Sequence, residues 1–302
     1  MTTFDRTLNA LHTVVGIPVV PYASDGSIDL AQAAELADRL VSRGLGALTP
    51  NGNTGEFYAL SPRERIDVLR TVTDAVGGRA VVIAGVGLDL STATAEAGLA
   101  AELGAQAVMV HQPVLPYMSG GGWVDYVAAV AAAVPETAVV PYVSSTAISG
   151  ADVSELVRRA PNVIALKYSV PDPVLFAETV QDVGGDLLWI AGLAESHAPA
   201  AWQAGARAFT SGLVNVAPEV SFAMLDALRA GDRDAASSTW RRIRRFEQLR
   251  ARDRNADNVS VVKEAMHQLG LCDRSVRPPS TVVGESVRAE ISEILAGWGA
   301  AS

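Results

Sequence analysis

The chain has 302 residues, 49% hydrophobic and 19% charged, with a net charge of −9. That is enough apolar material for a large core, and an acidic chain lacks the basic footprint of a nucleic-acid binder. A single cysteine, Cys272, excludes an internal disulfide and a cysteine-based metal cluster, and no run reaches the roughly 18 apolar residues of a membrane span.

The N-terminal stretch MTTFDRTLNALHTVVG has no basic segment leading into an apolar run, so the expectation is a cytoplasmic protein without a secretory leader. Eight short apolar runs then follow. They are Thr13–Pro21, Gly46–Pro50, Ala80–Gly87, Ala105–His111, Thr137–Val143, Val163–Tyr168, Leu187–Gly192 and Ala206–Ser211. Continuous runs of this length read as parallel strands buried on both faces. Successive runs lie roughly 20–35 residues apart, the length of a strand–helix unit.

The intervening segments carry helical spacing. Leu30–Arg43 places apolar residues every three or four positions. Ser61-Pro62-Arg63-Glu64 combines an N-cap, a proline at the first helical position and a glutamate at the third. Ser149–Arg159 and Asp172–Asp182 repeat the pattern. From Gly231 to near Trp298 the chain reads as helical throughout. The run Arg241-Arg242-Ile243-Arg244-Arg245, with Arg250, Arg252 and Arg254 beyond it, reads as a solvated helix face.

Eight strand–helix units predict an α/β fold, a (β/α)8 TIM barrel over residues 1–230. Residues 231–302 form a C-terminal helical extension packed on it as one unit. An open doubly wound sheet is the competing arrangement, but no G-x-G-x-x-G follows the first run.

A barrel of this kind carries its active site where the strands end. Of the 24 basic residues only Lys167 and Lys263 are lysine, and Lys167 lies inside an apolar run. A desolvated lysine loses its preference for the ammonium form, and the free amine adds to a ketone to give an iminium, an electron sink. The alternative is a strand-end lysine that snorkels to water. Tyr142 ends the preceding run and can shuttle protons, or be an ordinary rim tyrosine. The loop Gly52-Asn53-Thr54-Gly55 can offer backbone N–H groups and a hydroxyl to a carboxylate, or be a plain turn. Glu56 reads as a cap on that loop. His111, Glu195, Ser211 and Asn215 are rim candidates. The four histidines show no metal-ligand spacing, so no metal and no nicotinamide or pyridoxal cofactor is expected.

Gly52-Asn53-Thr54-Gly55-Glu56, then Tyr142, then Ala165-Leu166-Lys167, resemble the dihydrodipicolinate synthase / N-acetylneuraminate lyase family of class I aldolases. The resemblance runs from Gly16-Ile17-Pro18-Val19-Val20-Pro21 to Arg277-Pro278-Pro279. It implies a TIM barrel with helical extension, usually assembled as a dimer of dimers. It matches Lys167 to the Schiff-base lysine, Tyr142 to the proton-relay tyrosine and Thr54 to a residue that helps bind the 2-oxo acid carboxylate. Asn53 replaces the first threonine of the family's G-T-T-G-E. The relay's second tyrosine, which a neighbouring subunit supplies, aligns with Val114-Leu115, with Tyr117 as a possible substitute. Val143 stands in the usual asparagine's place, and the synthases' carboxylate-binding arginine aligns near Ala147. Gly55-Glu56-Phe57, the shortened spacing from Tyr142 to Lys167 and Val214-Asn215-Val216-Ala217-Pro218 are more similar to the 5-dehydro-4-deoxyglucarate dehydratase branch.

The expected activity is that of a lyase, dehydratase or retro-aldolase, on a 2-keto-3-deoxy sugar acid or similar 2-oxo acid bound to Lys167. Two alternatives stand beside it: condensation of pyruvate with an aldehyde, as in the synthases, and a non-catalytic 2-oxo acid sensor. The expected partners are the small-molecule substrate and further copies of the chain, with no nucleic acid and no membrane.

Overall fold

The computed structural model describes residues 3–114 and 117–299. Eight strands close into a parallel barrel in the order β1 to β8. They are β1 Val14–Gly16, β2 Ala47–Leu48, β3 Val81–Val86, β4 Ala107–Val110, β5 Ala138–Val143, β6 Ala165–Tyr168, β7 Leu188–Ala191 and β8 Ala208–Ser211. Each falls inside one of the eight apolar runs. β-branched and small residues on a twisted, doubly covered sheet account for that coincidence. The fold is a (β/α)8 barrel with C-terminal helices.

The chain divides into two compact units. The first holds Met1–Val15, Gly46–Thr49 and Gly78–Thr210. In it, Val15, Ala47, Ile83, Ala107, Met109, Ala138, Val140, Ala165, Leu188, Ile190 and Ala208 form one buried cluster, the barrel interior. Where one strand contributes two of them, as Ala107 and Met109, Ala138 and Val140, and Leu188 and Ile190 do, they stand two positions apart, as one face of a pleated sheet requires. Helix α1 (Thr3–Leu11) sends Leu11 into the same cluster and packs Phe4 and Leu8 against it.

The outer helices of this unit are α4 (Leu90–Glu102), α5 (Gly120–Ala133), α6 (Gly150–Arg159), α7 (Pro173–Val183) and α8 (Ala194–Ala204). Side-chain N-caps open four of them: Asp89, Ser119, Ser149 and Asp172 each accept a backbone N–H of the first turn. Asn162 donates to the carbonyls of Ala131, Val134 and Thr137 at 3.0, 3.0 and 3.1 Å, which fixes the turn from α5 into β5.

The second unit holds Gly16–Leu45, Pro50–Gly77 and Ser211–Ser302. It contains α2 (Leu30–Ser42), α3 (Pro62–Val76), α9 (Pro218–Ala230), α10 (Arg233–Asn255), α11 (Asn258–Gln268) and α12 (Glu285–Gly297). Ser61 and Glu64 make the expected reciprocal capping box at the start of α3. The arginine-rich helix α10 departs from expectation twice. Its backbone leaves helical geometry at Arg252, Asp253 and Arg254. Arg250 is not solvated: it is buried and donates to Glu247 at 2.7 Å and to Asn258 Oδ1 at 2.8 and 3.1 Å. A guanidinium with a carboxylate and an amide within reach keeps its charge inside the protein. Among the described residues no helix is long and apolar enough to cross a membrane.

Candidate active site

In the first unit the chemistry gathers on β5 and β6. Tyr142 pairs in register with Lys167, and Lys167 pairs with Ile190 on the other side. Ala165 and Ile190 line the barrel interior, so alternation turns Lys167 inward as well. Lys167 is only 5% exposed and does not snorkel to solvent. Burial pushes its amine down from 10.5 to about 8, because the charged form is the one that loses water. Its Nζ lies 4.2 Å from the centroid of the Tyr142 ring. His111, buried at the end of β4, meets that ring edge-on at 6.1 Å. The next residue, Gln112, accepts the Ser144 backbone N–H at 2.7 Å and joins the loops after β4 and β5.

Glu195 is fully buried in the first turn of α8. The preceding Ala194 has φ 58°, a left-handed conformation that an alanine adopts only under constraint. Gly192 is held to a hydrogen at its α-carbon: a Cβ there would collide with Ser169 Oγ and stand 2.9 Å from the Tyr168 carbonyl and 3.0 Å from Lys167 Cγ.

Two polar residues are not apparent from the sequence. Ser169 and Thr49 are buried hydroxyls with no hydrogen-bond partner among the described residues. Each lies two positions beyond an inward-facing residue, Lys167 or Ala47. Period-two alternation is the signal that could have found them.

The second unit holds the remaining candidates. Asn53–Gly55 is a single 3-10 turn preceded by extended Gly52 and followed by Glu56 in the left-handed region. Gly55 donates to the Gly52 carbonyl at 3.0 Å, and its α-carbon is so close to the Pro18 carbonyl that a Cβ would stand 2.9 Å from it. Thr54 is buried, and its hydroxyl approaches the α-carbon side of Gly212, where Arg250 Nη2 also converges. Glu56 closes the turn through its backbone N–H, which donates to the Asn53 carbonyl, while its side chain leaves the loop rather than capping it: Oε2 accepts Lys263 Nζ at 2.6 Å and Oε1 accepts the Arg277 backbone N–H at 2.8 Å.

Ser211 Oγ lies 3.2 Å from Ser221 Oγ and accepts the Val214 N–H at 3.0 Å. Asn215 donates to the carbonyls of Ile17 and Gly212 at 2.8 and 2.9 Å and accepts the Val19 N–H at 3.3 Å. Its amide therefore braces the segment after β1. Tyr117 is 92% exposed and Val114 is exposed too, while Leu115 lies outside the described residues. Among the described residues, no group of three or more His, Cys, Asp or Glu side chains could hold a metal.

The family model described as the dihydrodipicolinate synthetase family matches residues 10–297. The chain belongs to the dihydrodipicolinate synthetase family. As a family member it is a lyase. It is 29% identical to a probable 5-dehydro-4-deoxyglucarate dehydratase of Methylobacterium radiotolerans, over 93% of each chain. It is 30% identical to the 4-hydroxy-tetrahydrodipicolinate synthase of Sorangium cellulosum, over 92% of each. The crystal structure of dihydrodipicolinate synthase from Bacillus clausii superposes with a TM-score of 0.94 at 38% identity, covering 97% of this chain and 99% of that one. The family thus bears out the resemblance read from Gly52–Glu56, Tyr142 and Lys167, and its relatives carry both dehydratase and synthase names.

Proposed function

We propose that this family lyase binds a 2-oxo acid as a Schiff base on Lys167 and acts on a 2-keto-3-deoxy sugar acid. The observation that carries the reading is a lysine on the barrel's inner face, buried, with its amine at about 8 and a phenol ring 4.2 Å away. The free amine adds to the C2 ketone; the carbinolamine loses water and becomes an iminium. That iminium draws electrons from C3. Loss of the C3 proton and of the C4 hydroxyl with a proton gives dehydration. Loss of the C4 hydroxyl proton with scission of C3–C4 gives retro-aldol cleavage, and the enamine takes up a proton at C3. Tyr142 carries protons to and from the carbinolamine and the leaving oxygen. No cofactor enters the scheme, because the imine itself is the electron sink.

In the same reading the Thr54 hydroxyl and the backbone N–H groups of Gly52, Asn53 and Thr54 hold the C1 carboxylate, while the Gly55 N–H closes the turn on the Gly52 carbonyl. His111 and Glu195 contact the sugar-acid tail. Ser211 and Asn215 shape the site through the backbone they brace. The assembly is a homo-oligomer, which light scattering on the purified protein tests.

A second reading has its own support in the 38% identity to the Bacillus clausii dihydrodipicolinate synthase structure. It is condensation of pyruvate with an aldehyde. The absence of an arginine near Ala147 and of a tyrosine at Val114-Leu115 weighs against it.

The deciding experiment is intact mass spectrometry after borohydride reduction in the presence of pyruvate. The expected result is one reduced adduct per chain, mapped to the Lys167 peptide and missing in Lys167→Ala. Turnover of 2-keto-3-deoxy sugar acids against pyruvate plus aspartate semialdehyde then separates the two readings. No adduct with pyruvate or with any 2-keto-3-deoxy acid would sink both and leave a 2-oxo acid sensor.

A further inference from the structure

The second lysine has no place in the chemistry above, yet it is the more deeply buried of the two. Lys263 lies on α11 with no exposed surface. Its Nζ donates to Glu56 Oε2 at 2.6 Å and to the Ser275 carbonyl at 2.7 Å, and it stands 4.0 Å from the centroid of the Tyr22 ring. Glu56 is separated from it by 207 positions in sequence and is itself buried. The other carboxylate oxygen of Glu56 accepts the Arg277 N–H. The Arg277 guanidinium then reaches both Glu64 oxygens at 2.7 and 3.0 Å, the Gly26 carbonyl at 3.0 Å, and the face of Tyr22 at 4.6 Å.

A buried ion pair is a poor way to gain stability, because desolvating two charges consumes most of what their attraction returns. Well-packed apolar residues would hold α11 equally well. What the pair does supply is direction. Glu56 closes the 3-10 turn Asn53–Gly55 in a left-handed conformation, φ 56° and ψ 35°, which a glutamate takes up only when its surroundings impose it. Its two carboxylate oxygens are each held by one donor, from α11 and from the segment after it. The pitch of the turn, and with it the aim of the backbone N–H groups and of the Thr54 hydroxyl, is thereby set by residues more than 200 positions downstream.

We propose that Lys263, acting through Glu56 and seconded by Arg277, is a positioning residue that sets the affinity of the Gly52–Gly55 loop for the substrate carboxylate. The inference rests on reading that loop as the carboxylate site. It does not alter the role of Lys167.

The test uses the full chain and reads borohydride trapping as a function of ligand concentration, with pyruvate and with acetone, which has the ketone but no carboxylate. The variant is the double substitution Glu56→Gln/Lys263→Met. It removes both charges together, so none is left stranded, and keeps the side-chain lengths to within one atom. The half-saturating pyruvate concentration should rise roughly tenfold, the order expected when a binding group is misaimed by a fraction of an ångström. The maximal trapping rate should stay within about twofold of the parent, and acetone trapping should not change. Lys263→Arg keeps the charge but moves the donor, and it should show the same split in smaller measure, so the idea remains testable if the double variant fails to fold. An unchanged half-saturation for pyruvate, or equal losses for pyruvate and acetone, would overturn the inference alone. No adduct in the parent protein would overturn it together with the Schiff-base reading.

Discussion

Replacing Lys167 with methionine should make the protein more stable. Burial moves the lysine amine from 10.5 to about 8, and a tenfold change in proton affinity corresponds to about 1.4 kcal/mol between the two protonation states. Holding the ammonium form in the folded chain near neutral pH therefore costs about 3 kcal/mol. Methionine has a similar length and no charge to desolvate. It forgoes the ammonium contact with the Tyr142 ring, worth about 1 kcal/mol at its 4.2 Å separation, so the net gain near pH 7 is about 2 kcal/mol. The sign with pH follows from the depressed value. Between about 8 and 10.5 the unfolded chain binds more protons at this site than the folded one, so the parent gains stability as pH rises through that window. Below about 8 the cost is present in full. Near pH 10.5 the lysine is neutral in the fold, and the parent and the methionine variant should agree to within about 0.5 kcal/mol. Urea unfolding of both proteins near pH 7 and near pH 10.5 measures the gap at each end. A variant less stable than the parent at both values, or a gap that does not close with pH, would refute the claim that Lys167 sits in the fold at a desolvation cost.

The same lowered proton affinity governs the rate of adduct formation. Trapping with saturating pyruvate should rise with pH and level off above about 8, whereas a solvent-exposed lysine would keep gaining toward 10.5; continuous growth beyond about 9 would contradict the burial argument. Tyr142→Phe keeps the ring beside Lys167 but removes the phenol, so turnover should fall by about 10²–10⁴-fold while the adduct still forms at saturating ligand. Gly192→Ala should displace Ser169 and the Lys167 side chain, at a packing cost of about 1–3 kcal/mol, and trapping should slow even where circular dichroism shows an intact fold. Full trapping in that variant would mean that the Lys167–Gly192 approach does not matter to the amine.

Much of the barrel was legible because its signals are local. Ser61 and Glu64 cap α3 within four residues of one another. The strands lie inside the apolar runs because a strand covered on both faces must be apolar along its length. Lys167 stood out for the same reason, as a cation in a stretch that excludes cations. Helix α1 was legible in principle, with Phe4, Leu8 and Leu11 at helical spacing, but nothing in that spacing names the barrel interior as the surface they cover.

What the linear sequence determined is the set of elements and the two residues, Lys167 and Tyr142, on which the proposed imine chemistry rests, since periodicity and residue chemistry act over a turn or a strand. What only the tertiary structure decided is the fate of the charges. Arg250 and Lys263 look like surface cations in one dimension, yet each is buried against a carboxylate, Glu247 and Glu56. A local pattern cannot distinguish a paired buried charge from a solvated one: Glu247 lies one helical turn from Arg250, but the burial of that pair, and both the burial and the partner of Lys263, arise only when distant segments close on each other. Glu56 and Lys263 meet across 207 positions, immediately beyond the loop between Gly52 and Gly55.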